Sequence, residues 1–104
     1  MGKWVALASE TDFQDRPVKV VEYDGERIAL FRLSDGIYAI DDECSHATAS
    51  LAEGRVEDHV VECPRHGARF DIRTGKHLCF PAVTPVTSYP VKLEGGKIYV
   101  YVDD

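Results

Sequence analysis

Two short pairs of metal-binding side chains constrain this chain more than anything else in it. Cys44-Ser45-His46 is followed, after sixteen residues, by Cys63-Pro64-Arg65-His66. Each pair offers one thiolate and one imidazole from a single loop. Two such loops held face to face bring four ligands to one place. The chain has three cysteines and four histidines in 104 residues, and four of those seven fall in this pattern. A fold for this sequence must therefore set two loops side by side, joined by a segment of hairpin length.

The flanking sequence reads as strands. Val18 to Tyr23 is rich in β-branched and aromatic residues and ends at Asp24-Gly25, a strong hairpin signal. Glu26 to Leu33 returns, Ser34-Asp35-Gly36 turns, and Ile37 to Ile40 follows. Short strands at this spacing predict an antiparallel sandwich or small barrel. Arg55-Val56-Glu57 and Val60-Val61-Glu62 predict a hairpin that carries the second pair, and Arg69-Phe70-Asp71 a brief strand after it. Pro81, Pro85 and Pro90 make the stretch from Phe80 to Pro90 a loop or an edge, since proline cannot donate to a ladder. Val91-Lys92-Leu93 and Lys97 to Val102 close the chain as a hairpin around Gly95-Gly96. Nothing reads as a long helix. The strands before residue 41 and after residue 90 bracket the ligand segment, which suggests a base made from both ends of the chain.

Composition excludes several roles. The formal net charge is −6, which argues against nucleic acid as a partner. An odd cysteine count argues against a disulfide framework and an oxidising compartment. No stretch has the length or apolarity of a membrane span, and Met1 to Ala6 shows neither a long apolar run nor a small-residue cleavage site. The expectation is a single domain in the cytoplasm, with no membrane partner.

Two thiolates and two imidazoles fit two metal centres: tetrahedral zinc, or a [2Fe–2S] cluster with two cysteines on one iron and two histidines on the other. Zinc fingers group cysteine with cysteine and histidine with histidine, on a helix. Here each pair is mixed and the context is all β, which favours the dinuclear cluster.

Cys44-Ser45-His46 with Cys63-Pro64-Arg65-His66-Gly67 resembles the Rieske signature, C-x-H and C-x-x-H-G. The resemblance continues through Arg69-Phe70-Asp71, Thr74-Gly75, the proline loop and the final hairpin. It implies the all-β Rieske fold, an antiparallel β base with a small rubredoxin-like cluster-binding subdomain. The base would comprise 1–41 and 86–104 and the subdomain about 42–85. The resemblance further implies one [2Fe–2S] cluster, with Cys44 and Cys63 on the buried iron and His46 and His66 on the outer iron.

Departures from related subclasses narrow the function. Rieske subunits of cytochrome bc complexes carry two more cysteines, which would fall at Ala49 and Arg65, and hydroxyls that would fall at Ala68 and Phe70. Without those hydroxyls the resemblance implies a potential near about −150 mV, the low end of the Rieske range. Oxygenase α subunits add a mononuclear iron domain, for which only His59 and His77 remain. The expected function is that of a one-electron carrier, not an enzyme. It would take electrons from an NAD(P)H-dependent flavoprotein ferredoxin reductase and pass them, as a monomer, to the terminal oxygenase of an aromatic ring-hydroxylating dioxygenase. The alternative is the small Rieske subunit of an assimilatory nitrite reductase. Asp41, Asp42, Glu43, Glu57 and Asp58 suggest an acidic docking rim. Cys79 reads as a small buried residue, His59 and His77 as surface residues, and Trp4, Phe13, Phe31, Tyr38, Tyr99 and Tyr101 as packing of the base.

Overall fold

The computed structural model describes residues 2–44, 49–65, 67–80, 82 and 84–103. Among these residues ten strands alternate with turns: β1 Gly2–Ser9, β2 Val18–Tyr23, β3 Glu26–Leu33, β4 Gly36–Asp41, β5 Arg55–Glu57, β6 Val60–Glu62, β7 Arg69–Asp71, β8 Ser88–Tyr89, β9 Val91–Glu94 and β10 Lys97–Asp103. They form three antiparallel sheets, ordered β1-β10-β9, β2-β3-β4-β8 and β5-β6-β7. The helical content among the described residues is two short 3₁₀ turns, Glu10–Phe13 and Leu51–Glu53. No described helix is long and apolar enough to cross a membrane.

The hairpins follow from turn chemistry. Asp24 and Gly25 have φ of 53° and 82°, and Gly95 and Gly96 have 59° and 79°. Positive φ at both central positions is the turn whose twist matches the flanking strands. β1 and β10 pair from Gly2↔Asp103 to Ser9↔Lys97, so the two ends of the chain share one sheet.

β3 is the strand on which the molecule turns. Its residues from Ile28 to Phe31 are all buried, so both of its faces are covered. Ile28 and Leu30 pack with Phe13, Ala39, Ile98, Val100 and Val102. Ala29 and Phe31 point the other way and join Ile40, Leu51, Val61, Phe70, Ile72 and the two signature cysteines in a second core. Period-two alternation thus makes one strand serve two cores. Phe31, on the same strand, packs in the core with Cys44 and Cys63 and not with Phe13, Ile98 and Val100. Trp4 is no core residue: it is 40% exposed and lies edge-on against Tyr101, at 5.3 Å between ring centroids, with the Lys92 ammonium over its face.

The proline-rich stretch supplies an edge strand. Ser88 and Tyr89 of β8 pair with Ile40 and Ala39 of β4. The Tyr89 hydroxyl donates to Asp41 Oδ1 at 2.6 Å. Burial, and then the Asp41 carboxylate, raise the Tyr89 pKa well above the ordinary tyrosine value. A raised phenol stabilises the fold at every pH below its unfolded pKa of about 10, and that contribution fades as pH climbs further. Tyr89→Phe is expected to lower stability by about 1 kcal/mol at pH 7 and to flatten the alkaline limb of a pH–stability curve. Urea unfolding at pH 7 and above pH 10 measures both effects.

Candidate metal centre

Cys44 and Cys63 are held alike. The N–H of Cys44 donates to the carbonyl of Ala49 at 3.0 Å, and the N–H of Cys63 donates to the carbonyl of Ala68 at 2.6 Å. Each loop is closed by one hydrogen bond from its cysteine to the residue five positions on. The first loop leaves the end of β4, and an isolated bridge between Glu43 and Ser50 zips its base. The second joins β6 to β7, whose register Val61↔Phe70 and Glu62↔Arg69 delivers Cys63 at the strand end.

Gly67 lies in the second loop with φ of 73°. A Cβ there would meet Glu62 Oε2 at 3.5 Å, an ordinary contact. The left-handed backbone, not crowding, is why glycine is needed. Gly75 is needed on both counts: its φ is 80°, and a Cβ would run into the backbone carbonyl of Val86. Its N–H donates to Asp71 and its carbonyl accepts from Val86, which ties the chain beyond the proline loop to the turn after β7.

Cys44 and Cys63 are 4% and 1% exposed and belong to the same apolar core, and neither is in a disulfide. Two unbridged thiols buried at the mouths of two matching loops fit a metal centre. His46 and His66 lie outside the described residues, as do Ser45, Ala47 and Thr48. No cluster of three or more metal-binding side chains occurs among the described residues.

The other expected features are redistributed. Asp42 is fully buried. Glu57 and Asp58 sit at the turn of the β5–β6 hairpin, the end remote from Cys63. Asp41 is held by Tyr89 and by the Thr87 N–H. Of the supposed acidic rim only Glu43 is both exposed and next to a signature cysteine. Cys79 is exposed, not buried, and its Sγ lies 3.9 Å from the Gly67 carbonyl oxygen. His59 and His77 are half-buried. Ala49 and Ala68 accept the cysteine N–H bonds through their carbonyls, and Asp42 braces the segment around the first cysteine, roles the sequence reading does not give them. The signal for the alanines was their equal spacing from each cysteine. The signal for Asp42 was strand alternation, which puts it on the buried side with Ile40.

Comparison with known proteins agrees with this geometry. The family model described as the Rieske [2Fe-2S] domain matches residues 3–90. The 3-phenylpropionate/cinnamic acid dioxygenase ferredoxin subunit of Escherichia coli O139:H28 is 54% identical over 74 residues, 70% of each chain. Its counterpart from Photorhabdus laumondii is 46% identical over 94 residues, 89% of each chain. A chain in the complex of reduced oxygenase and oxidized ferredoxin of carbazole 1,9a-dioxygenase superposes with a TM-score of 0.85 at 34% identity, covering 93% of this chain and 91% of that one. A chain described as the small subunit of an NADH-dependent nitrite reductase from Mycobacterium tuberculosis has a TM-score of 0.84 at 26% identity, covering 100% of this chain and 98% of that one. The shape fits either kind of relative, while sequence identity favours the ferredoxins.

The chain belongs to the Rieske [2Fe–2S] family. Within it, the chain is a ferredoxin of the aromatic-dioxygenase type, an electron-transfer component and not a catalyst. The single Rieske-type cluster supplies a centre that gains and loses one electron.

Proposed function

We propose that this ferredoxin carries single electrons from an NAD(P)H-dependent flavoprotein reductase to the terminal oxygenase of an aromatic ring-hydroxylating dioxygenase, in the cytoplasm and as a monomer. Cys44, His46, Cys63 and His66 hold the cluster. The unit from about 42 to 85 carries it, and the base of 1–41 and 86–104 supports that unit. The observation that carries this reading is the pair of buried, unbridged cysteines at two equally closed loops on one core. Both cysteines are shielded from water, at 4% and 1% exposure. Burial on this scale limits the rearrangement of solvent when charge changes, which suits repeated electron exchange.

Docking would use the apolar shelf beside the second loop. Phe80 is 82% exposed and Leu78 is 47% exposed, and Cys79 between them touches the Gly67 carbonyl. An exposed aromatic next to a redox centre is a typical interface anchor. With most of the acidic residues turned elsewhere, apolar contact outweighs charge at this end. Stopped-flow reduction of a 3-phenylpropionate dioxygenase oxygenase by the reduced ferredoxin tests the reading. Rapid, saturable oxidation of the ferredoxin is expected. Phe80→Ala should weaken docking about tenfold while leaving the rate at saturation unchanged. Electron delivery to a nitrite reductase but not to the oxygenase would favour the alternative subunit role.

A further inference from the structure

We propose that Asp42 sets the cluster's reduction equilibrium through its buried charge, with Arg27 as the opposing charge, while it also positions the first ligand loop. This rests on the reading of Cys44 as a ligand.

Asp42 is 0% exposed and is the only buried charged side chain among the described residues. Its Oδ1 accepts from Ser50 Oγ at 2.8 Å and from the Ala52 N–H at 2.9 Å. Its own N–H donates to the Arg27 carbonyl, and its carbonyl accepts from the Leu51 N–H. The residue therefore ties the strand entering the loop to the segment leaving it, and anchors both to β3. Between these ties lies the loop closed by Cys44 and Ala49.

Positioning alone does not need a charge. The side-chain oxygen of asparagine could accept the same two hydrogen bonds. A buried carboxylate is far more expensive than an amide unless it is fully compensated. Here it is not. Oδ2 has no hydrogen-bond donor among the described residues. The nearest cation, Arg27 Nη2, stands 3.6 Å away on a side chain that is 47% exposed and so partly screened by water. This only partly offset carboxylate belongs to a residue two positions from Cys44, so the two Cα atoms lie within about 7 Å of each other. Because the side chain is fully buried, its field is screened less than that of a surface charge. A negative charge there opposes the addition of an electron, and Arg27 favours it. The low potential expected from the missing hydroxyls is thus deepened by a carboxylate in the wall.

Potentiometry on the holoprotein tests this, with the visible and EPR spectra recorded first. Asp42→Asn is expected to shift the one-electron equilibrium about threefold to tenfold toward the reduced form, where tenfold is 59 mV. Arg27→Gln is expected to shift it about twofold to threefold the other way. Ser50→Ala keeps both charges, and should lower the melting temperature while moving the equilibrium less than twofold. A structural role alone would give Asp42→Asn and Arg27→Gln the same sign, or no shift, and either result overturns the proposal. If Asp42→Asn fails to retain the cluster, Arg27→Gln decides: an unchanged equilibrium overturns the proposal and a shift toward the oxidised form upholds it. A wild-type spectrum without thiolate and imidazole ligation would instead refute the ligand reading, before any potential is measured.

Discussion

Cys63→Ser is expected to abolish the visible absorption of the protein and to lower its melting temperature by roughly 10–20 °C. The cysteine is 1% exposed and shares a core with Cys44, with Leu51 of the second 3₁₀ turn, with Phe70 of β7 and with Ile72 just after it. A centre that joins the loops completes this core. In a domain of 11.6 kDa that contribution is a large part of the total stability. Structural metal sites contribute on the order of 10 kcal/mol to folding. Even a quarter of that, at about 4–8 °C per kcal/mol, gives the stated loss. Cys79→Ser is the control. Its thiol is exposed and touches the second loop only through the Gly67 carbonyl, so spectrum and melting temperature should stay as in the parent protein. Calorimetry with iron and sulfide analysis measures both variants. A Cys63→Ser protein that keeps its colour would remove Cys63 from the ligand set.

The second large effect concerns the potential, expected at about −150 mV. Hydrogen bonds to cluster sulfur stabilise the reduced state and raise the potential. Ala68 and Phe70 are both 0% exposed in the core that holds the cysteines, and neither carries a hydroxyl. Phe70→Tyr is expected to raise the potential by roughly 60 mV. A hydrogen bond to a charged acceptor contributes about 1.5 kcal/mol, and 1.4 kcal/mol is 59 mV for one electron. Potential and melting temperature should be read together. A tyrosine whose hydroxyl finds sulfur raises the first with little change in the second. A buried hydroxyl without a partner would cost about 1–3 kcal/mol and leave the potential where it was, and so place position 70 away from the cluster.

Much of this molecule was legible in its sequence because the relevant signals are local. Asp24-Gly25 and Gly95-Gly96 specify their turns through backbone conformation alone, and both hairpins form. The two Cys–His pairs mark the site through residue chemistry and spacing. Features that depend on distant packing were harder to read. Phe31 and Leu30 are equally apolar, and only the layering of three sheets sends one into the core with Cys44 and Cys63 and the other into the core with Phe13, Ile98 and Val100. Asp42 stands in a run of three acids that resembles a solvated rim. Its burial depends on Ser50, Ala52 and Arg27, which meet it only in three dimensions. Cys79 misled because free cysteine usually packs as a small hydrophobe. Leu78 donates its N–H to the Arg69 carbonyl, and Cys79 and Phe80 directly after it are exposed.

The claim that organises all of these expectations is that Cys44, His46, Cys63 and His66 share one dinuclear cluster. Pulsed EPR of the dithionite-reduced protein, isotopically labelled at histidine nitrogen, tests it most directly. The account predicts a single [2Fe–2S] signal coupled to two histidine nitrogens, with one coupling lost or altered on changing either His46 or His66. A colourless, EPR-silent zinc protein, or a cluster coupled to no histidine nitrogen, would contradict it.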